Sequence, residues 1–375
     1  MKTEELTQNQ AFLVLNALPH IGPITLNRIL LELGNDPREV FKSSSQRLEE
    51  IQGVGPVIST TILGWSGHFD LAREEERMKQ AATTFISSRA PNYPSRLREI
   101  DSAPIGMYRK GEYSFNQPNV AIVGSRRTTL YGQSTAKKLG AELARMGFCV
   151  VSGLARGIDT AAHEGALSVG GKTVAVLGNG IDIIYPAENL ALYRQIEGSG
   201  ALLSEFPFTR RADKQSFAMR NRIVAGMSDA VVVVESDVSG GAMITARFAG
   251  EQGRLLFAVP GRIDQPSSAG CHQLIRDGAT LCTGVDDIIS ELSYLDGLRP
   301  SAIPEKTMGS TALATSNLTA DEQKVYVCFA GGALVSIDQI REQTSQTTAH
   351  LSATLMMLEL KRVIVKRADG TFEAR

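Results

Sequence analysis

Three glycine-containing segments of the sequence could bind an anion, because each one precedes a predicted helix. Free N–H groups and a partial positive charge at a helix N-terminus attract phosphates. The segments are Gly124-Ser125-Arg126-Arg127, Gly153-Leu154-Ala155-Arg156-Gly157 and Ser239-Gly240-Gly241. Neither G-x-G-x-x-G nor the Walker pattern occurs, so the segments predict phosphate binding without specifying a nucleotide. The alternative is that the glycines serve only tight turns between strands and helices.

A group of basic residues with interleaved aromatic residues follows later in the chain. It consists of Arg210, Arg211, Lys214, Arg220 and Arg222, with Phe208 and Phe217 among them. A protein that binds a single strand needs cations along the phosphate backbone and rings that stack on bases. A solvated charged loop followed by an ordinary helix would give the same pattern, and both interpretations stay open.

An acid–base pair is the catalytic alternative. Asp159 and His163 are four residues apart and would share one face of a helix. A helix N-cap at Asp159 and a packed histidine explain the same spacing. No H-E-x-x-H follows His163 and no G-x-S-x-G occurs, which argues against two common hydrolase sites.

Five apolar runs must position these segments. They are Val120–Val123, Cys149–Val151, Thr173–Leu177, Ala230–Val234 and Leu255–Val259. Short β-branched runs that are separated by helical patterns indicate a parallel sheet with both faces covered, as in a Rossmann-like α/β domain. Ligands of such sheets lie at the carboxyl ends of the strands. We therefore expect the loops at Gly124, Gly153, Gly178 and Gly240 to meet at one edge.

The composition fits a folded protein with several domains. The chain has 375 residues, 43% of them hydrophobic and 21% charged, and its formal net charge is -1. Any nucleic-acid site must therefore concentrate its positive charge on one surface. The four cysteines show no paired spacing, which argues against a disulfide framework and a zinc site. A polar start without a signal-type apolar stretch leads us to expect a cytoplasmic protein that is not held in a membrane.

Smaller modules flank the central region. Residues 1–85 read as a helical helix-hairpin-helix (SAM-like) module, with Gly53 and Gly55 in one hairpin and His20 and Gly22 in a degenerate copy. Such a pair could bind duplex DNA through its backbone, but few basic residues lie near Gly53, which favours a structural role. Residues 86–298 would form the Rossmann-like domain and residues 299–317, rich in Ser, Thr, Ala and Pro, a linker.

Residues 318–375 read as a winged helix. Capping boxes at Thr319 and Ser336 start two helices, Leu351, Leu355 and Leu358 give a third an apolar stripe, and Asp369-Gly370 marks a hairpin turn. Basic residues occur only at the end of the third helix and in the wing, at Lys361, Arg362, Lys366 and Arg367. A helix that reads bases usually carries Arg, Lys, Asn or Gln, so a protein contact or a weak backbone contact is favoured.

Several ordered motifs resemble those of the DNA-processing protein A family, also called Smf, over nearly the whole chain. They are Tyr93-Pro94, Ala121–Arg126, Ser152–Leu167, Leu177-Gly178 with Tyr185-Pro186, Arg220–Gly226, and Ser239-Gly240-Gly241 with Ile244–Arg247. The resemblance implies a non-enzymatic protein without cofactor or metal. It would bind and protect single-stranded DNA during natural transformation and help to load the RecA recombinase. It also implies a homodimer through the Rossmann-like domain, and single-strand-binding protein is a further candidate partner.

The resemblance also assigns residues to the DNA site. Arg126 would be a main phosphate contact, Lys214 a second one, and Phe217 a ring for base stacking. Asn221 and Arg247, which stand in two of the motifs, are assigned to the same site. The loop at 207–219 departs from the Pro/Gly-rich form common in the family.

Two other functions compete with this one. Phosphoribohydrolases of the wider Rossmann-like group carry P-G-G-x-G-T-x-x-E, whose glutamate is catalytic. Aligned on Gly240-Gly241, the chain has Ser239 at the proline and Arg247 at the glutamate, so a cation replaces the catalytic carboxylate. The second competitor is a sequence-specific regulator that acts through the winged helix.

Overall fold

The computed structural model describes residues 6–293, 318–329, 334–344, 346–367 and 370–374. These residues form two compact units. The larger unit contains the described residues up to 293 except 129–131, and the smaller unit contains those from 318 onward together with 129–131. The predicted linker at 299–317 lies outside the described residues.

Short helices form the first part of the larger unit. They are α1 (Gln8–Ala17), α2 (Pro23–Glu32), α3 (Pro37–Lys42), α4 (Ser45–Glu49), α5 (Pro56–Leu63) and α6 (Leu71–Gln80). The two predicted hairpins have matching backbones, since His20 and Gly53 both adopt a left-handed conformation, with φ of 65° and 88°. Each hairpin leads into a helix with proline at its first turn, where the missing N–H costs no hydrogen bond.

A mixed sheet follows. Its strands are β1 (Thr84–Ser87), β2 (Gly106–Lys110), β3 (Asn119–Val123), β4 (Cys149–Ser152), β5 (Thr173–Leu177), β6 (Ala201–Ser204), β7 (Ala230–Val233), β8 (Leu255–Ala258) and β9 (Thr280–Leu281). The spatial order is β1-β2-β6-β5-β4-β3-β7-β8-β9. The five predicted strands are confirmed and pair in parallel. Strands β1 and β2, which were not predicted, add an antiparallel edge beside β6.

Helices cover both faces of this sheet, as predicted for buried parallel strands. They are α7 (Ser95–Arg98), α8 (Leu130–Arg145), α9 (Ile158–Ser168), α10 (Leu190–Ser199), α11 (Lys214–Gly226), α12 (Gly241–Glu251), α13 (Pro266–Arg276) and α14 (Val285–Glu291). Alternate residues of β3 enter two different cores: Ala121 packs with α11 and α12, and Ile122 packs with α8 and α9. The α/β fold class is therefore confirmed.

The N-terminal helices share one hydrophobic core with the sheet. Phe12 and Leu15 of α1 belong to the same buried cluster as Tyr108 of β2. The Tyr108 hydroxyl donates to the Glu74 carboxylate at 2.8 Å, and that carboxylate also accepts the Phe208 N–H. Strand β1 spans the predicted boundary at 85/86, so a division into 1–85 and 86–298 stays a proposal.

The smaller unit has the elements of a winged helix. They are α15 (Ala320–Val327), α16 (Ile337–Thr344), α17 (Thr348–Leu360), β10 (Ile364–Lys366) and β11 (Phe372–Ala374). Both predicted capping boxes are present, at Thr319 and at Ser336. Leu351, Leu355 and Leu358 of α17 are buried, and β10 pairs with β11 as an antiparallel hairpin. Half of the predicted Asp369-Gly370 turn lies outside the described residues, because Asp369 is not among them.

The four cysteines carry free thiols. Burial raises the pKa of the Cys149 and Cys271 thiols to about 12. In the part of the chain that the structure describes, no group of three or more His, Cys, Asp or Glu side chains is placed to hold a metal ion. Within the same ranges, no helix combines the length and the apolar character that crossing a membrane requires.

Candidate nucleic-acid interface

A cleft of about 630 Å³ opens at the carboxyl edge of the sheet. Strand β3 lies between β4 and β7, so the chain leaves the neighbouring strands β3 and β7 in different directions. A crevice at such a switch point is where open α/β sheets bind their ligands. Of the predicted site residues, those lining the cleft are Gly124, Ser125, Arg126, Arg127, Gly153, Lys214, Phe217, Arg220, Asn221, Ser239 and Gly240.

Close backbone contacts hold the first loop of the cleft in place. The Ser125 N–H donates to the Glu235 carbonyl at 2.7 Å, and the Ser125 carbonyl accepts the Ile158 N–H. Gly157 has a φ of 82°, and a Cβ there would lie 2.3 Å from the Ser125 carbonyl oxygen. Gly157 is not part of the cleft lining. Because it has no side chain, it allows the second loop to pack against the first.

The loops differ in how their N–H groups are used. The N–H groups of Gly153 and Ala155 donate to the Asp159 carboxylate at 3.1 and 3.3 Å. These two N–H groups of the second loop are therefore not available to an anion, because the Asp159 carboxylate already accepts both of them. At the start of α12, the N–H groups of Gly241 and Ala242 have no hydrogen-bond partner among the described residues, and both residues line the cleft. That helix N-terminus is suited to an anion.

Three exposed cations surround the cleft without a carboxylate partner in the described ranges. They are Arg126, Arg127 and Lys214. The Arg126 guanidinium lies over the Phe217 ring, with Cζ 4.9 Å from the centroid. Such a contact orients the cation while leaving its donors available.

The cleft is electropositive. Its cationic lining consists of Arg126, Arg127, Lys214 and Arg220, and its carboxylates are Asp159 and Asp237, so cations exceed carboxylates by two. Hydrogen bonds from the Ser239 N–H and hydroxyl hold the pKa of the Asp237 carboxyl below its ordinary value. Asp237 therefore stays ionised at neutral pH and organises the third loop.

Arg220 forms the floor of the cleft and is only 4% exposed. Its Nη1 donates to the carbonyls of Gly153 and Val176, and its Nε donates to the Asn221 side chain. Burial lowers the pKa of Arg220 to about 10, against the opposing effect of nearby Asp159. Arg220 is charged at neutral pH, but its position supports the loops more than it exposes a cation to ligand.

Two other arginines of the basic group are neutralised, whereas Arg211 is exposed and lies outside the cleft lining. Arg222 is buried and pairs with Glu205 at 2.7 Å, and Arg210 pairs with Asp213 at 2.7 Å. Asp213 also caps α11 through the Ser216 N–H. Of the five basic residues, Lys214 is therefore the one that is exposed within the cleft lining.

Two predicted arginines lie outside the lining. Arg156 pairs with Glu188, and Arg247 pairs with Glu251 at 3.5 Å. Both side chains are more than half exposed, so these pairs are surface ion pairs of small energy. Their part in the DNA site stays a prediction.

The catalytic pair is not assembled. Asp159 binds loop N–H groups, and His163 Nδ1 faces the Thr173 hydroxyl at 2.6 Å. Burial lowers the pKa of His163 to about 3, so the imidazole is neutral at physiological pH. A cap-like carboxylate and a packed histidine account for this spacing.

Sequence reasoning gave no site role to Tyr185, although its motif was noticed. Tyr185 is 40% exposed, and its ring lies 5.6 Å from the Phe217 ring, centroid to centroid. The available signal was its place in the loop after β5, because the carboxyl end of β5 lies at the same edge as the cleft.

Two of the four basic residues predicted at the end of the third helix and in the wing are paired within their own unit, whereas Arg362 and Lys366 are exposed. Lys361 pairs with Glu322 at 2.7 Å, and Arg367 pairs with Glu373 at 3.4 Å. The outward stripe of α17 consists of exposed small and apolar residues, which are Ala349, Ala353, Met356 and Leu360. This helix presents no cation or amide at those positions, unlike a base-reading helix.

Family models match both units of the chain. A model described as DNA recombination-mediator protein A matches residues 84–293, and one described as DprA winged helix domain matches residues 310–370. Protein Smf of Synechocystis is 35% identical over 95% of this chain and 96% of its own length. Protein Smf of Escherichia coli is 37% identical over 76% of this chain and 75% of its own length.

Two solved structures of DNA processing protein A are also similar to this chain. The X-ray structure of DNA processing protein A from Streptococcus pneumoniae has a TM-score of 0.68 and 33% identity, covering 76% of this chain and 98% of that one. A Helicobacter pylori structure has a TM-score of 0.51 and 31% identity, covering 56% of this chain and 95% of that one. Its description concerns the single-stranded DNA binding mode of DNA processing protein A.

Proposed function

Because the chain belongs to the DNA recombination-mediator protein A family, we propose that it binds single-stranded DNA in the cleft at the carboxyl edge of its sheet. The observation that carries this proposal is the set of exposed cations, Arg126, Arg127 and Lys214, which have no carboxylate partner among the described residues. Their charge is available to phosphates, and the adjacent N-terminus of α12 adds N–H donors. The Helicobacter relative, whose description names single-stranded DNA, supports the same ligand.

Individual residues have different parts in this proposal. Arg126 and Lys214 contact phosphates, and the Phe217 ring holds the Arg126 guanidinium over the cleft. Gly124, Gly153 and Gly240 permit close packing of the loops, since a Cβ at each would lie within 2.5 Å of a neighbouring atom. The remaining predicted lining residues that support the cleft are Ser125, Arg127, Arg220, Asn221 and Ser239.

In the cell, the protein would protect single-stranded DNA during natural transformation and promote loading of RecA. A homodimer through the Rossmann-like domain would place two clefts on one strand and add avidity. Single-strand-binding protein is a further proposed partner. The names of the relatives, which describe DNA processing, support this role.

We propose binding without catalysis. The exposed Arg247 stands where the phosphoribohydrolase motif has its glutamate, and the buried, neutral His163 faces the Thr173 hydroxyl while Asp159 accepts loop N–H groups. Release of free base from a nucleoside monophosphate by the pure protein would revive the enzymatic alternative.

The test of the proposed function is fluorescence anisotropy with one labelled oligonucleotide, as single strand and as duplex, over a salt series. We expect tighter binding of the single strand and a negative slope of log K against log salt, with about 0.7 contributed by each neutralised phosphate. Absence of binding to single strands at low salt, or a preference for duplex, would overturn the proposal.

A further inference from the structure

Tyr185 offers an open aromatic surface beside the cleft. The residue is 40% exposed, and its ring is tilted by 41° against the ring of Phe217, which lines the cleft. Stacking is sequence-tolerant, because every base has a π-face that can lie on an aromatic side chain. An exposed tyrosine next to a phosphate-binding cleft is therefore suited to a nucleobase.

Phe217 has less ring surface to offer. The guanidinium groups of Arg126 and Arg220 lie 4.9 and 6.0 Å from its centroid. On the backbone side, a Cβ at Gly178 would lie only 2.8 Å from Phe217 Cδ1. These contacts suit a residue that positions Arg126, and they leave Tyr185 as the more exposed ring of the aromatic pair.

Arg156 is a close neighbour of Tyr185. The hydrogen bond to Glu188 is the largest cause that raises the pKa of Arg156, and the nearby Tyr185 hydroxyl contributes a smaller effect in the same direction. The Arg156–Glu188 pair is about half exposed, so it is weak enough for a phosphate to replace the carboxylate. A strand with one base on the Tyr185 ring would therefore pass close to this cation.

We propose that Tyr185 forms a nucleobase subsite, where one base stacks on its ring while neighbouring phosphates contact Arg126 and Arg156. This inference rests on the proposed function and extends it from the phosphates to the bases. On this proposal, the predicted DNA contact of Arg156 is with a phosphate near the stacked base, outside the cleft lining.

The experiment compares the full chain with Tyr185→Ala and Tyr185→Phe on two oligonucleotides of equal length. One is oligothymidylate, and the other has the same backbone with abasic residues. We expect Tyr185→Ala to weaken binding of oligothymidylate on the order of 10-fold, and Tyr185→Phe to stay within about twofold. The abasic strand should show no loss with either variant, and the salt slope should not change, because no charge is removed.

Leu281→Ala is the matched control, since Leu281 is 47% exposed on the edge strand β9. It should leave both affinities unchanged. An equal loss on the intact and abasic strands, or an equal loss in Tyr185→Phe, would overturn the subsite, because neither depends on base stacking.

Arg126→Ala separates the two proposals. If it weakens binding while Tyr185→Ala does not, only the subsite fails. If wild type binds no single strand, the proposed function fails as well.

Discussion

The cleft and the winged helix both carry clustered basic residues in the sequence, but the structure uses these residues differently. In the cleft, Arg126 and Lys214 are exposed and have no ion-pair partner within the described ranges. In the winged helix, Lys361 and Arg367 pair with the buried carboxylates Glu322 and Glu373, and only Arg362 and Lys366 of that cluster are exposed without such a pair in the described residues. A count of basic residues therefore does not identify a nucleic-acid site, because a cation that is neutralised within its own unit contributes little to binding a phosphate.

This comparison predicts a separation of effects. Removing an unpaired cation should reduce DNA affinity and leave stability unchanged. Removing a cation that pairs with a buried carboxylate should reduce stability and leave DNA affinity unchanged, because the remaining carboxylate stays buried without its partner.

The largest effect is expected for the double variant Arg126→Ala, Lys214→Ala. Single-stranded DNA affinity should fall on the order of 100-fold at low salt, and the salt slope should be smaller by about 1.4, because two phosphate contacts are lost. Anisotropy titrations measure the affinity and calorimetry the thermal midpoint. A lowered midpoint would show that these cations are structural and would remove the contrast between the two regions.

A smaller effect, on stability and not on DNA affinity, is expected for Lys361→Met in the winged helix. Glu322 is 5% exposed and would lose its 2.7 Å partner, so unfolding of the smaller unit should shift to lower temperature by several degrees. The relevant calorimetric transition is the one that disappears in a chain ending at residue 298. DNA affinity should change by less than about twofold; a larger loss would place Lys361 in the DNA site.

The ion pair between Lys361 and Glu322 predicts that the stability of the smaller unit depends on pH. The Lys361 hydrogen bond, together with the Thr319 N–H, holds the pKa of Glu322 below its ordinary value. A carboxyl whose pKa is lowered by folding stabilises the protein above its unfolded pKa of about 4.3, and that stability is lost as pH falls through the lower folded pKa. The transition of the smaller unit should therefore weaken in acid, and less steeply in Lys361→Met. An equally steep dependence in the variant would assign the effect to other carboxylates.

The smallest effect is expected from removing the winged helix. A chain that ends at residue 298 keeps every residue of the cleft lining. Its affinity for single-stranded DNA should stay within about twofold of that of the full chain. Loss of all binding on truncation would place the site in the winged helix and favour the regulator that competes with the present proposal.

The central strands are predictable from the sequence because buried parallel strands are continuous apolar runs. Val120–Val123 and Ala230–Val234 stand out in this way. Strand β6 has the sequence Ala-Leu-Leu-Ser without β-branched residues, and β9 has two residues, so neither carries a strong strand signal. The antiparallel edge of β1 and β2 depends on long-range pairing, which periodicity does not reveal.

The site is predictable in its loops but not in its ion pairs. Gly124 and Arg126 follow a strand directly, so their position at the sheet edge follows from topology. Whether a cation is free depends on carboxylates that are distant in sequence, such as Glu205 beside Arg222 and Glu322 beside Lys361. The Asp159 carboxylate similarly accepts two N–H groups of the second loop, those of Gly153 and Ala155, which glycine content alone does not show.

The most direct test of the central claim compares Arg126→Ala with Arg247→Ala. Both arginines are exposed and lie over a phenylalanine ring, at 4.9 and 5.4 Å, but Arg247 pairs with Glu251 and is outside the cleft lining. The account predicts that Arg126→Ala weakens binding of all single-stranded sequences alike and reduces the salt slope by about 0.7. Although the family resemblance assigns Arg247 to the DNA site, its ion pair and its position outside the lining predict that Arg247→Ala changes neither quantity. Unchanged affinity and slope in Arg126→Ala, or equal losses in both variants, would contradict it.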